Sequence, residues 1–254
     1  MNTIDSEEMS ARIELVKAKL TDLTLDASKH DLIAFYVMGL LTPLLDELGA
    51  DPAIIVGGHA AELYTSGSYK TADIDIVLIR DDIERLLFDR LGFLKRGRYY
   101  YLEDLDIPIE IPSSDLAGSK DRVIKLNTPD GYCYVIGVED LIVDRLNAAG
   151  LWKDSRSLEW ARYLISSQYE HLDMVYIRQR ALDENLKLLE RLEYEYNWVS
   201  NHMNYDDPSR SFFLLGDDRS RRSRPPQQPS RKTAPVNVAA RRSGALCTAR
   251  QPYR

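Results

Sequence analysis

Cysteine is almost absent from these 254 residues: Cys133 and Cys247 are the only two, too few for a disulfide framework or a thiolate metal site. Histidine is as sparse, with four scattered copies, so zinc chemistry has little support. No stretch approaches the roughly 20 apolar residues of a membrane span. The longest apolar run, 32–45, contains Gly39, Thr42 and Pro43 and predicts a buried helix with a kink or restart. The opening Met-Asn-Thr-Ile-Asp-Ser-Glu-Glu lacks the basic and apolar regions of a secretion signal. These absences lead to the expectation of a cytoplasmic protein with no membrane partner.

Acidic residues are missing from one region only. Residues 219–254 hold ten Lys or Arg and no Asp or Glu. The whole chain carries −7, so residues 1–218 carry −17. A body this acidic does not bind nucleic acid through a broad electrostatic footprint. The basic segment is rich in Arg, Ser, Pro and Ala and has no hydrophobic period. It cannot bury enough apolar area to offset its ordering entropy, and a disordered tail is expected over 219–254. A basic arm that touches RNA and a reading-frame accident at the gene end are the two accounts of it.

What the chain does contain is concentrated in twenty-five residues: Ile54-Ile55-Val56-Gly57-Gly58, a polar loop, then Thr71-Ala72-Asp73-Ile74-Asp75-Ile76-Val77-Leu78. Side chains alternate along a strand, so Asp73 and Asp75 share one face and Ile74 and Ile76 the other. Two carboxylates about 7 Å apart on one strand face suit a hard divalent cation such as Mg²⁺, which takes oxygen ligands and is often shared with phosphates. Gly57 and Gly58 lack Cβ atoms and let backbone N–H groups approach a phosphate closely.

This hydrophobic strand, Gly-Gly, spacer and Asp-x-Asp resembles the nucleotidyltransferase superfamily with a DNA polymerase beta type of palm. Fourteen residues separate Gly58 from Asp73, slightly more than the usual spacer. Gly57-Gly58-His59-Ala60-Ala61-Glu62-Leu63-Tyr64 and Lys70-Thr71-Ala72-Asp73-Ile74-Asp75 look most like the minimal nucleotidyltransferases and the abortive-infection type IV toxin group. The resemblance covers roughly residues 50–165 and is strongest over 54–78. It implies an α/β (α+β) fold with a mixed sheet, and transfer of a nucleotidyl group from an NTP with one or two Mg²⁺ ions. The acceptor would be an RNA, protein or small-molecule hydroxyl, and the chain would act as a toxin–antitoxin component. A catalytically inactive binding module or nucleotide sensor of the same fold is the alternative.

Two metal ions around a transferring group need a third carboxylate. In Leu105-Asp106-Ile107-Pro108-Ile109-Glu110-Ile111 the isoleucines take one face and Asp106 and Glu110 the other. The resemblance points to Glu110, where the family more often has Asp. The alternative is that both acids lie on the wet face of an edge strand, which Pro108 would favour. Asp73, Asp75 and Glu110 are therefore the expected metal-binding and catalytic set. Gly57, Gly58, Ser66, Ser68, Lys70 and Arg145 are expected around the nucleotide. Arg145 stands where the family places a Lys, keeping the charge but not the geometry. His59 is read as structural more readily than as a phosphate or base contact. Tyr99-Tyr100-Tyr101 reads as sheet packing before a base-stacking platform.

The remaining pattern predicts N-terminal helices over 1–50, a palm over 51–137 and a helical region over 138–205. Helices are expected at about 6–23, 28–48, 59–64 and 81–91, the last with Ile83, Leu86, Leu87 and Leu91 inward and Gly92 closing it. Strands follow at about 53–56, 99–102, 107–111, 123–126 and 132–136. A helix begins at Val138 with an acidic first turn. Leu182, Leu186, Leu189, Leu192 and Tyr196 form the stripe of one last long helix, a core face or the seam of a homodimer or antitoxin partner.

Overall fold

The computed structural model describes residues 4, 6–25, 32–67, 71–79, 81–102, 105–151 and 154–203; the expected tail, 219–254, lies outside them. Two helices come first, α1 (Glu7–Leu25) and α2 (Ile33–Glu47). In α1, Ile13 and Leu20 are completely buried, as their helical spacing requires. The helix α2 does not restart at Pro43 but runs through it. Pro43 has no N–H for the Gly39 carbonyl four residues back, and that carbonyl lies against Gly131, where a Cβ would be 2.3 Å away. Gly39 in turn leaves room for Thr128, 2.2 Å from where its own Cβ would sit. Packing against a hairpin holds the helix together where propensity would end it.

The sheet is mixed, as expected. Its strands are β1 (Ile54–Ile55), β2 (Ile74–Val77), β3 (Leu94–Arg96), β4 (Tyr99–Leu102), β5 (Leu105–Ser113), β6 (Ile124–Thr128) and β7 (Gly131–Val135). Their order is β3-β4-β5-β2-β1-β7-β6. The β2–β5 and β1–β7 pairs are parallel and the others antiparallel. The strand β5 is interior, so Pro108 does not mark an edge. The β4–β5 register shifts between Tyr100 and Leu102, and this irregularity beside Pro108 accommodates the missing ladder donor. The short β3 carried too little alternation to be expected from sequence.

One face of the sheet is apolar: Ile74, Ile76, Tyr100, Ile109 and Ile111 have no exposed surface. Each side chain of this size contributes about 1.5–3 kcal/mol on burial. Next to this face stands α4 (Asp82–Leu91), capped by Asp81, whose side chain accepts from the Glu84 amide at 2.9 Å, and closed by left-handed Gly92. Its inward residues are Leu87, Phe88 and Leu91, whereas Leu86 is exposed. Phe88 takes the inward position because its ring meets both Phe93 and Tyr100.

After the sheet come α5 (Val138–Leu151), α6 (Ser155–Gln168), α7 (Met174–Glu184) and α8 (Leu186–His202). The leucine stripe does not belong to one helix. Asn185, with extended φ −177° and ψ 159°, ends α7 and caps α8 by accepting from the Leu188 amide at 3.0 Å. Leu182 and Leu186 are exposed as a result, whereas Leu192 of the stripe is buried, Leu189 and Tyr196 pack against the core, and Leu188 and Val199 are buried beside them. These helices and the sheet share one hydrophobic cluster. Among the described residues no helix is long and apolar enough to cross a membrane.

Candidate metal centre

The site is assembled where β1, β2 and β5 lie side by side. Burial of Ile74 and Ile76 fixes the face of β2, leaving Asp75 on the other side and only partly buried. Asp73 immediately precedes the strand and accepts from the Thr71 hydroxyl at 3.0 Å. In the parallel β2–β5 register Asp75 stands opposite Glu110. Asp73, Asp75 and Glu110 each present a carboxylate oxygen, all within 4.8 Å of one another, a grouping that can hold a metal ion. Asp106, the other acid of the expected strand face, has a side chain outside the described residues.

The glycine pair belongs to a helix rather than to a turn before one. Helix α3 (Gly57–Tyr64) begins at Gly57, two residues earlier than the pattern suggested. Val56, its extended N-cap residue, donates its amide to the Asp75 carbonyl at 2.9 Å. Gly57 has φ +61°, and a Cβ there would lie 2.1 Å from Asp75 Oδ2. The next amide, Gly58, donates to the Asp75 carboxylate. Helix start and carboxylate are thus packed in direct contact, as the positive end of a helix dipole allows.

Electrostatics agree with crowding of like charge. Burial first, and then Asp73 and Glu110, push the Asp75 carboxyl up to about 6, while the Gly58 amide and Arg145 pull it back. Glu110 is only 6% exposed and is met by Arg98, whose Nε lies 2.7 Å from Oε1. A divalent cation would relieve this repulsion, and oxygen-only donors suit a hard one.

Beside the carboxylates is a cleft of about 340 Å³, lined by Gly57, Asp75, Ser113, Asp115, Asp144 and Arg145 among others. Arg145 projects from α5 and grips its neighbour Asp144 through Nε at 3.0 Å and Nη2 at 2.6 Å. The expected residues Gly57, Gly58, Arg145, Asp73, Asp75 and Glu110 are therefore brought together. Ser66 is exposed just beyond the far end of α3, with φ 50°; eight helical residues place the two ends about 12 Å apart along the axis. Ser68 and Lys70 lie outside the described residues. His59 is structural, with Nδ1 3.0 Å from Glu62 Oε2 and its ring edge-on to Phe35. Of the tyrosine run only Tyr100 is core, its hydroxyl bonded to Glu84.

Four residues at the site were not found from sequence: Arg98, Ser113, Asp115 and Asp144. The signal for Arg98 was Arg96-Gly97-Arg98, a glycine with φ +65° turning one strand onto the next. The acidic first turn of α5 does more than start a helix. Asp140 is fully buried and accepts from the Ser119 amide at 3.0 Å, the Tyr176 hydroxyl at 2.9 Å and Arg180 Nε at 3.2 Å. Glu139 accepts from the Asp173 amide at 3.1 Å. Together they tie α7 and the segment before β6 to the helix that carries Arg145.

No protein-family model, curated protein or solved structure matches this chain. The functional reading accordingly rests on the site itself.

Proposed function

We propose that the protein transfers a nucleotidyl group from an NTP to an acceptor hydroxyl with Mg²⁺: the hydroxyl oxygen bonds to the α-phosphorus as the α–β bridging P–O bond breaks, the hydroxyl proton is released and pyrophosphate leaves. The observation that carries this reading is the placement of Asp73, Asp75 and Glu110 within 4.8 Å of one another, with Gly57 at the start of α3 packed on Asp75. Bound Mg²⁺ would supply charge neutralisation at the α-phosphate of the transferring nucleotidyl group and at the departing pyrophosphate. Asp73, Asp75 and Glu110 would hold it. The α3 N-terminus and Arg145 take the phosphates on the cleft side, where amides and a guanidinium meet anionic oxygens. Catalysis in such a site is positioning and charge stabilisation.

A second reading has one specific observation in its favour. Arg98 already occupies one oxygen of Glu110 at 2.7 Å, which suits a module that binds a nucleotide without turning it over. Incubation with each radiolabelled NTP, Mg²⁺ and cell extract separates the two. Label transferred to a macromolecule by the wild type and lost in Asp75→Asn supports transfer. Mg²⁺-dependent NTP binding by calorimetry with no labelled acceptor supports the module. Failure of a folded protein to bind any NTP at millimolar concentration removes both.

A further inference from the structure

The same sheet face continues past the carboxylates to the sheet edge, and its composition changes there. Asp75 pairs with Glu110, Glu110 with Tyr99, and Tyr99 with Arg96. Directly paired residues project to one face, so these four side chains form one row across β2, β5, β4 and β3. Strands are spaced about 4.8 Å apart, so the row runs about 14 Å from Asp75 to Arg96. Tyr101 lies two residues from Tyr99 on the same face, and their ring centroids are 6.0 Å apart.

Tyr99 and Tyr101 are half-buried while Tyr100, on the opposite face, is fully buried. Core packing accounts for Tyr100 and leaves the other two rings unexplained. Each carries a guanidinium over its face: Arg96 lies 5.6 Å from the Tyr101 centroid and Arg98 5.5 Å from that of Tyr99. The strand β3 is exposed throughout, and its broad packing is with β4 alone among the described elements. Arg96 has no carboxylate partner among the described residues. Two adjacent aromatic rings flanked by arginines match the chemistry of an unpaired polynucleotide, whose bases stack and whose phosphates pair with guanidinium. A charge field over the whole surface is not required, which reconciles such binding with the acidic body.

The geometry points to single-stranded nucleic acid as the ligand of this platform, with bases on Tyr99 and Tyr101 and backbone phosphate on Arg96. Resting on the nucleotidyl-transfer reading, it makes a polynucleotide end the acceptor. The cleft of Gly57 and Arg145 lies on one side of the carboxylates and the tyrosine row on the other. An incoming nucleotide and an acceptor terminus would then meet at the metal from opposite sides.

Fluorescence anisotropy with end-labelled 12-nucleotide RNA and DNA single strands, in Mg²⁺ and without NTP, tests binding separately from chemistry. The full chain is used throughout. Tyr99→Ala and Tyr101→Ala should each weaken binding about tenfold or more, from the usual value of one stacked base. Tyr99→Phe and Tyr101→Phe should preserve it, because stacking needs the ring and not the hydroxyl. Arg96→Ala should flatten the salt dependence without disturbing the core. Equal binding by wild type, both alanine variants and Arg96→Ala would overturn the platform. So would absence of binding by a wild type that still binds NTP and Mg²⁺, and that outcome leaves nucleotidyl transfer to a protein or small molecule standing. Loss of NTP binding with retained oligonucleotide binding would do the reverse, leaving a nucleic-acid-binding surface without the transfer chemistry. A preference between RNA and DNA in the wild type identifies the sugar.

Discussion

Gly57 and Asp75 are in such close contact that a Cβ at position 57 would be 2.1 Å from Asp75 Oδ2 and one of the two would have to shift. The left-handed φ of +61° adds about 1–2 kcal/mol for any non-glycine residue. Gly57→Ala is expected to displace either the α3 start or the Asp75 carboxylate. Calorimetry should show at least a tenfold loss of Mg²⁺-dependent NTP affinity, with a lower melting temperature. Unchanged NTP affinity in a folded Gly57→Ala protein would contradict the packing relationship.

The metal-free protein should carry a pH signature of Asp75. Its carboxyl is raised from 3.8 to about 6 in the folded state, so the native form binds the proton more tightly than the unfolded form. Stability from this group is therefore full below about pH 4 and is lost as pH rises through about 6. Thermal melts in EDTA should show Asp75→Asn gaining on the wild type between pH 4 and pH 7. Adding Mg²⁺ at pH 7 should raise the wild-type melting temperature and leave the Asn variant nearly unmoved. Parallel pH profiles for the two proteins would count against the crowded triad.

Arg98 and Glu110 should respond in opposite directions. Glu110→Gln removes one carboxylate of the proposed metal site and is expected to weaken Mn²⁺ or Mg²⁺ binding at least tenfold. Arg98→Ala removes a cation that competes for the same carboxylate and should tighten metal binding. Arg98 is more than half exposed and solvent screens such pairs to about 0–1 kcal/mol, so the gain should be about fivefold at most. Titration of Mn²⁺ by electron paramagnetic resonance reads both. Weaker metal binding by Arg98→Ala would mean that the arginine orients Glu110 and does not compete for it.

Asp140 is a buried, ion-paired carboxylate outside the site. Its carboxylate has no exposed surface and faces Arg180, which is itself mostly buried. Removing one partner of such a pair costs about 3–5 kcal/mol. Asp140→Ala should lower the melting temperature by about 6–20 °C for a domain of this size, with Arg145 misplaced through α5. A drop smaller than 2 °C in a calorimetric scan would be inconsistent with the network.

Local chemistry was legible where it depends on near neighbours. The alternation of Asp73, Ile74, Asp75 and Ile76 placed both acids on one face, and Gly92 marked the end of α4. The strand Tyr99–Leu102 was found with its observed limits. The break at Asn185 was missed because apolar spacing continues across it, although an Asn cap followed by leucines was visible. Leu86 was read inward because helical periodicity cannot distinguish it from Phe88. That choice was made by the Phe93 and Tyr100 rings.

The sequence by itself determined which residues can bind a hard cation or approach a phosphate, because those properties belong to carboxylates and to glycine wherever they lie. Alternation along a strand also selected the face. Tertiary structure alone decided that Glu110 stands opposite Asp75, that Pro108 is interior beside a register shift, and that Arg98 reaches the third carboxylate. Each of these is a question of register between segments far apart in the chain. Register is set by the total fit of buried faces across the sheet, an energy that no local window contains.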